Sequence, residues 1–228
     1  LSNDLTPGTY FSRNFSAQRL GMISKEAKDS IKSLDLSRVR VDGFDFSGFT
    51  NLKDLNLSFS LGLTATQFNA IPQDVKDSIE TLKLNCPIGF DFSGFSGLKN
   101  LRIRHSNLTA TQFNALPKQA KASIEILELA HMYIEDFDFS EFTGLKTFIL
   151  DKTPNLTVTQ FDSILNKEFI EYLNLEGVNV TDFNFSGFIN LKGLNLKCAR
   201  NLTAVQFNAI PSDVKLSIES LYLGGINT

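Results

Sequence analysis

Apolar and polar residues alternate in nine short segments along the chain. This period of two indicates strands with one buried face. The middle apolar positions are Leu34, Leu55, Leu82, Leu101, Leu127, Phe148, Leu173, Leu194 and Leu221. Successive positions are 21, 27, 19, 26, 21, 25, 21 and 27 residues apart. We therefore predict about nine strands, in short and long units that alternate along the chain.

The long units contain a repeated motif that predicts a short helix. LTATQFNAIP at 63–72 returns with few changes at 108–117, 156–165 and 202–211. Each copy has a threonine followed three residues later by a glutamine, as in Thr64 and Gln67. This pair is typical of a capping box, which satisfies backbone N–H groups at the start of a helix. Because Pro72, Pro117 and Pro211 stand at the end of three copies, we predict that the helix ends there.

The short units contain a second motif, which has no helical period. It reads FDFSGF at 44–49 and 90–95, FDFSEF at 137–142 and FNFSGF at 183–188. We predict an extended or 3₁₀ return whose phenylalanines pack inward as a stacked aromatic spine. Three phenylalanines from each of four short motifs and one from each of four long motifs make 16 of the 21 in the chain. The high phenylalanine content therefore results from one packing arrangement that is repeated in each unit.

Leu-x-x-Leu-x-Leu-like strands in units of this length resemble those of the leucine-rich repeat superfamily. The resemblance covers nearly the whole chain and implies an α/β solenoid, a horseshoe with about nine parallel strands on its concave face. With helices only in the long units, short helices would lie on alternate repeats of the convex side. The alternating unit lengths are similar to those of extracellular small leucine-rich proteins. However, the asparagine that usually follows the last strand leucine by three residues is missing, so the subfamily stays unassigned.

The two motifs extend over nearly the whole sequence, which predicts a single solenoid domain over residues 1–228. Residues 1–13 are either a degraded repeat or a small cap. A solenoid needs polar caps to cover its stacked core, and the sequence shows none. We therefore interpret the chain as a processed product or a piece of a longer array.

Comparison of the repeats with one another indicates a binding surface. The return segments hardly change between copies, whereas the strand positions that face away from the core change completely. Such divergence is typical of a ligand-binding face, and solenoids commonly bind through the concave side. Neutral drift of solvated positions predicts the same variability. The candidate ligand-binding residues are Lys83, Arg102, Arg104, His105, Glu128, Asp151, Tyr172 and Glu176.

The charged candidates fall into two patches. The basic residues belong to the third and fourth strands and the acidic residues to the fifth, sixth and seventh. Strand spacing places the two patches side by side over roughly 20 Å. A partner with complementary charges would be oriented by them. The alternative is neutralisation between adjacent strands within the protein.

The sequence contains no pattern typical of an enzyme or of a metal site. His105 and His131 are the two histidines, and equivalent positions two strands apart would separate them by about 10 Å, too far to share a metal ion. We therefore expect no catalysis, metal or cofactor. The net charge of −3 argues against a nucleic-acid partner. No apolar stretch reaches the roughly 20 residues that span a bilayer.

Two signals disagree about the cellular compartment. Cys86 and Cys198 fall five units apart, about 24 Å by strand spacing, so we expect no disulfide between them within the chain. Free thiols favour a reducing compartment. Seven Asn-x-Ser/Thr sequons favour secretion and glycosylation, although four of them belong to the helix-capping motif. They are Asn14, Asn56, Asn107, Asn155, Asn179, Asn184 and Asn201.

These patterns together predict a non-enzymatic recognition module that binds a protein or a glycan through the concave strand face. An extracellular or cell-surface location is the first hypothesis, and the cytoplasm is the second. Two other functions stay open. The first is a structural protein whose solenoids stack through uncapped ends, and the second is an intracellular scaffold or an accessory subunit of an enzyme.

Overall fold

The computed structural model describes residues 23–85 and 89–226. Within these residues, nine strands form one sheet in chain order, and each strand pairs in parallel with the next. Strands β1 to β9 span Ser33–Asp35, Asp54–Leu57, Thr81–Leu84, Asn100–Arg104, Ile126–Ala130, Thr147–Ile149, Tyr172–Asn174, Gly193–Asn195 and Ser220–Tyr222. The predicted fold, an α/β solenoid with an open parallel sheet, is confirmed. Residues 1–13, where we predicted a degraded repeat or cap, lie outside the described residues.

The register of the sheet places the predicted middle residues in one row. Leu34 pairs with Leu55, Leu55 with Leu82, and the row continues to Leu221 on β9. All members on β1 to β8 are buried, whereas Leu221 is 41% exposed. This exposure leaves apolar surface on the last strand, and the predicted end-to-end association of solenoids stays a prediction.

The helices occupy the long units, as the sequence predicts, and the short units return through turns. Helices α1 to α8 span Lys25–Ser30, Ala65–Asn69, Gln73–Ser78, Ala110–Asn114, Lys118–Ser123, Val158–Asp162, Ala204–Asn208 and Ser212–Ser217. One 3₁₀ turn, Lys167–Phe169, follows α6. Short helices therefore lie on alternate repeats.

The prolines of the long motif do not simply end a helix. Pro72 is the residue directly before α3, and Pro117 and Pro211 stand in the same place before α5 and α8. Proline suits the start of a helix because the first N–H groups have no intrahelical partner. Each of these three long units therefore contains two short helices, and the sequence interpretation missed the second.

The predicted capping boxes are confirmed in all four long motifs. In the first copy, the Gln67 N–H donates to Thr64 Oγ1 at 3.2 Å. The same glutamine donates from Nε2 to the carbonyl of Val41 in the preceding short unit, at 2.9 Å. Gln160 and Gln206 make the corresponding bonds to Ile134 and Val180, and Gln112 donates to Phe90, three residues further along its short unit. The glutamine therefore caps its own helix and joins it to the neighbouring unit.

The phenylalanines form the predicted stacked spine. The ring of Phe68 in α2 lies parallel to that of Phe90 in the next short motif, with 4.1 Å between ring centroids. Phe113 with Phe137 and Phe161 with Phe183 repeat this contact at 4.5 and 4.3 Å. These six rings are buried, and offset-stacked pairs add to the stabilisation that burial provides.

The polar residues of the short motif hold the return in place. The N–H of Ser47 donates to Oδ1 of Asp45 at 2.8 Å, and Asp91, Asp138 and Asn184 accept the same bond in the other copies. Such Asx turns replace a regular backbone hydrogen bond. They explain why each short motif has Asp or Asn between its first two phenylalanines.

A row of alternating lysines and glutamates runs along the amino ends of the strands. Strands that follow a short motif are preceded by Lys53, Lys99, Lys146 and Lys192, and those that follow a long motif by Glu80, Glu125, Glu171 and Glu219. Glu80 contacts both Lys53 and Lys99, at 3.1 and 2.8 Å. Lys146 pairs with Glu125 and Lys192 with Glu171. The alternation of units thus produces opposite charges on neighbouring strands, which favours this register.

The buried spine predicts a large cost for truncation. We expect Phe92→Ala to lower the free energy of unfolding by about 3–5 kcal/mol, because it removes a buried ring and leaves a cavity. Phe169→Ala is the control, since Phe169 is 55% exposed, and we expect a change within about 0.5 kcal/mol. Urea unfolding measures both. Equal changes in the free energy of unfolding for the two variants would contradict a stabilising role of the buried phenylalanines.

The lysine–glutamate row predicts a dependence of stability on pH. Hydrogen bonds from Lys99 and then Lys53 lower the pKa of Glu80 below its ordinary value of 4.5. A lowered folded-state pKa stabilises the protein above pH 4.5, and this stabilisation is lost as the pH falls through the folded-state pKa. We expect the melting temperature of Glu80→Gln to be lower than that of the wild type at pH 7. At a pH below the folded-state pKa of Glu80, the two melting temperatures should be equal. Glu219→Gln, which removes no described ion pair, is the control, and an equal effect at that position would refute the interpretation.

Candidate functional site

On β1, β2, β7 and β8, the residue between the two buried positions of the strand has a structural role, whereas β9 holds Tyr222 at this position. Asp35, Asn56, Asn174 and Asn195 each accept, through Oδ1, the backbone N–H two residues further on, at 2.8–3.1 Å. Each of these side chains therefore ends its strand with an Asx turn. In these four strands the Asp or Asn is explained by the hydrogen bond that it accepts from the backbone.

The central strands depart from this pattern. The same positions on β3 to β6 hold Lys83, Arg102, Glu128 and Ile149, and none of these residues closes an Asx turn. The chain thus gives up a local hydrogen bond in four adjacent strands. This interruption coincides with the basic patch that the sequence predicts, and it defines the basic cluster: Lys83, Arg102, Arg104 and the carboxylate of Glu128.

A buried carboxylate holds the two arginines of the basic cluster. Glu128 has no exposed surface, and its Oε2 lies 3.3 Å from Nη1 of Arg102 while Oε1 contacts Nε of Arg104. Arg102 also donates from Nε to Oδ1 of Asn100, at 3.1 Å. The side chains of Arg102 and Arg104 stay 35% and 51% exposed. Both guanidinium groups are thus fixed from below and open to solvent on the other side.

The expectation that the side chain of Glu128 is exposed on the strand face is wrong. Its burial follows from the register, because Arg102 pairs directly with Glu128 and Arg104 lies one pleat further along β4. Two long side chains can therefore close over one carboxylate. The charge of Glu128 is neutralised within the protein by Arg102 and Arg104, as the alternative interpretation of the sequence predicts.

The basic cluster has an excess of positive charge. Three cations, Lys83, Arg102 and Arg104, against one carboxylate leave a formal charge of 3 − 1 = +2. Lys83 lies opposite Arg102 on β3 and forms no ion pair with any described residue. Guanidinium groups held in one geometry favour planar or multidentate oxyanions, such as carboxylate, phosphate or sulfate. This is the chemistry that the arrangement supports.

The predicted separation of the two histidines is wrong. His105 follows β4 and His131 follows β5, which are adjacent strands, and their rings stack with centroids 4.4 Å apart. Nε2 of His131 lies 3.4 Å from Oδ2 of Asp151. Nevertheless, no group of three or more His, Cys, Asp or Glu side chains that could hold a metal ion occurs in the described parts of the chain.

The histidines belong to a row of left-handed residues that the sequence interpretation missed. The fourth residue after each middle strand position has a φ between 47° and 72° wherever it is described. These residues are Arg38, Phe59, His105, His131, Lys152, Gly177, Cys198 and Gly225. Left-handed backbone favours glycine, and the two glycines in the row were the available signal. The ring of Phe59 is 50% exposed and lies 6.2 Å from that of His105. Aromatic surface therefore continues from the basic cluster to the carboxyl ends of the strands.

The remaining acidic candidates have partners within the protein. Asp151 contacts His131, and Glu176 accepts from Asn195 at 3.2 Å and lies 3.7 Å from Lys197. Lys197 thus partly neutralises the acidic patch, whereas the basic cluster keeps its excess.

Tyr172 keeps an exposed ring on the strand face. It is 43% exposed and lies across Gly193, where a Cβ atom would come within 2.6 Å of the ring. The absence of a side chain on β8 thus makes room for the tyrosine ring.

The sequons and cysteines have the following places. Asn14 and Cys86 lie outside the described residues, so the predicted absence of a Cys86–Cys198 disulfide is untested. Cys198 is a free and exposed thiol. Asn56, Asn179 and Asn184 accept backbone N–H groups in Asx turns, and the side chain of Asn155 accepts the N–H of Ile134. Asn107 and Asn201 are exposed. Over the described ranges, no helix is both long and apolar enough to span a bilayer.

Comparisons with known proteins identify the fold. No family model matches the sequence, and no curated protein matches it. The chain is similar to a solved leucine-rich repeat protein of Leptospira interrogans, with a TM-score of 0.54 and 15% sequence identity over 90% of this chain and 58% of that one. The chain therefore spans little more than half the length of this neighbour. The functional domain of InlJ from Listeria monocytogenes is similar at a TM-score of 0.41, with 13% identity over 90% of this chain and 56% of the other. The repeated strands, the nine-stranded parallel sheet and the Leptospira structure together show that this chain has the leucine-rich repeat fold.

Proposed function

We propose that the protein is a non-enzymatic recognition module that binds an anionic group of a protein or glycan partner on its strand face. The observation that carries this proposal is the basic cluster, in which a buried Glu128 holds two exposed arginines. The cluster lies on β3 to β5, within the run of four adjacent strands, β3 to β6, that have no Asx turn at this position. An interruption shared by adjacent strands favours selection for binding over independent drift.

The electrostatics of the cluster favour a specific contact over general attraction. The whole chain carries a net charge of −3, so the excess of positive charge in the basic cluster is opposite in sign to the charge of the protein as a whole. Complementary charges in such a setting speed association and orient the partner. Glu128 already holds the two arginines in place. Binding of an oxyanion would therefore cost less side-chain conformational entropy than binding to two mobile arginines.

Other predicted residues would extend the contact around this anchor. His105 adjoins Arg104, and Tyr172 lies three strands from β4 on the same face. Tyrosine supplies contact area and a hydroxyl group, which suits a rim position. Asp151 and Glu176 would repel an anionic group that lay near β6 or β7 instead of at the basic cluster. This repulsion would favour one orientation of the partner on the strand face.

An extracellular location remains part of the proposal, with the cytoplasm as its alternative. Asn107 is exposed beside a capping motif and is the sequon that we expect to be modified first. Intact mass before and after glycosidase treatment of protein from a secretory host tests this. Unmodified asparagines throughout would refute the secreted interpretation.

Charge reversal tests the strand-face proposal. We expect Arg102→Glu with Arg104→Glu to weaken binding to an immobilised aspartate-rich peptide or a sulfated oligosaccharide by about tenfold or more, since two oxyanion contacts are lost. Arg38→Glu with Arg40→Glu is the control, because it makes the same charge change at exposed positions near β1. Surface plasmon resonance at two salt concentrations measures both variants. Equal losses for the two would mean that only net charge matters.

The buried carboxylate gives a separate prediction for stability. We expect Glu128→Gln to lower the free energy of unfolding by about 1–3 kcal/mol, because it leaves a buried amide beside two cations. The same variant should bind the peptide less tightly despite its added positive charge, since the arginines lose their common anchor. Urea unfolding and calorimetry measure the two effects. Tighter binding by this variant would show that Glu128 does not position the arginines.

A further inference from the structure

The third long unit is shorter than the other three. From the leucine of the long motif to the glutamate before the next strand, the distances are 80 − 63 = 17, 125 − 108 = 17 and 219 − 202 = 17 residues, but 171 − 156 = 15 in the third copy. The second helix of this unit is reduced to the 3₁₀ turn Lys167–Phe169. The Asn166 that precedes the turn is left-handed. The return between β6 and β7 is therefore two residues shorter than in the other long units.

Two large apolar residues, one in this shortened return and one in the next short unit, stand where the other copies have small polar ones. Phe169 aligns with serine in the other long units and Ile189 with serine or threonine in the other short units. The replaced residues are Ser78, Ser123 and Ser217, and Thr50, Ser96 and Thr143. Phe169 and Ile189 are 55% and 52% exposed. About half of the surface of each residue therefore stays in contact with water.

The exchange also removes an internal hydrogen bond. Ser78 donates from Oγ to the carbonyls of Leu52 and Val75, both at 2.8 Å, and Ser217 donates to that of Val214 at 3.2 Å. Phenylalanine has no hydroxyl donor, so position 169 cannot form such a bond and exposes an aromatic ring instead. A change that costs a hydrogen bond and exposes apolar surface favours an interaction outside the folded chain.

Phe169 and Ile189 line a groove along the amino ends of the strands. Its volume is about 950 Å³, and its lining runs from Lys99, before β4, to Glu219, before β9. Five strand intervals make the groove roughly 24 Å long. The lysine–glutamate row forms part of its wall. We call this feature the edge groove.

The charges of the edge groove are unequal. Lys99, Lys146 and Lys192 are paired with Glu80, Glu125 and Glu171. Glu168 and Glu219 also line the groove and form no ion pair with any residue in the described ranges. The groove thus offers an apolar centre together with two carboxylates that form no direct ion pair, of which Glu219 also interacts electrostatically with Lys192.

We propose that the edge groove docks an extended segment of a partner protein that carries a large apolar side chain close to a lysine or arginine. The apolar side chain packs on Phe169 and Ile189, and the cation pairs with Glu168 or Glu219. A length of roughly 24 Å corresponds to about seven residues of extended chain, which suits a peptide better than a small molecule. The edge groove and the basic cluster prefer opposite charges, so one chain can hold two different partner elements.

Tryptophan fluorescence provides a direct test, because the protein contains no tryptophan. The probes are two pools of seven-residue peptides with tryptophan fixed at the centre and lysine or glutamate fixed two positions later. We expect the lysine pool to bind with a blue-shifted emission and about fivefold or more tighter than the glutamate pool. A lysine pool with serine in place of tryptophan should fail to compete. Absence of binding, or equal binding of both fluorescent pools, would overturn the proposal.

Two variants assign any binding to the groove. Phe169→Ser with Ile189→Thr introduces the residues that other copies use, so we expect the melting temperature to stay within about 2 °C and affinity for the lysine pool to fall about tenfold. Glu168→Gln with Glu219→Gln should equalise the two pools. Lys83→Glu reverses a charge of the basic cluster without breaking a described ion pair, and it should leave both results unchanged, which separates this proposal from that of the strand face. Undiminished binding by the first variant, or a marked loss of its stability, would refute docking on Phe169 and Ile189.

Discussion

The contact on which the structure depends is the stacking of a helix phenylalanine on the first phenylalanine of the following short motif. Phe68 on Phe90 is the first of three such contacts, each between buried parallel rings. The contact joins two units that return their chains in different ways. The capping glutamine adds a hydrogen bond between the long unit and the short unit before it, as Gln67 does to Val41. Long and short units therefore form one structural repeat of two strands.

The double repeat explains other regular features of the molecule. Lysine before one strand and glutamate before the next follow from the alternation of units, and the sheet brings them into ion pairs such as Lys99 with Glu80. Asx turns in the short motif and at strand ends satisfy backbone groups that no regular element reaches. These roles recur in each unit. A residue that differs from those at the equivalent positions of the other units therefore requires another explanation.

Two such departures lie on different surfaces. On the strand face, Lys83, Arg102 and Glu128 interrupt the Asx row and leave an excess of positive charge. At the amino ends of the strands, Phe169 and Ile189 replace serine and threonine and leave apolar surface beside carboxylates. The first surface suits an oxyanion and the second an apolar and basic segment. A scaffold with a uniform core can carry both, since neither departure disturbs the stacked rings.

The sequence by itself determined the strands, their register, the capping boxes and the aromatic spine, because all of these repeat locally and have a clear period. Among the candidate site residues, it located Lys83, Arg102 and Arg104 on the strand face. Only the tertiary structure decided that Glu128 is buried and that His105 stacks on His131, since both depend on which residues of neighbouring strands lie opposite each other. The second helices were missed because proline permits the start of a helix as readily as it ends one. The edge groove, finally, arises from residues far apart in sequence that the sheet brings to one edge.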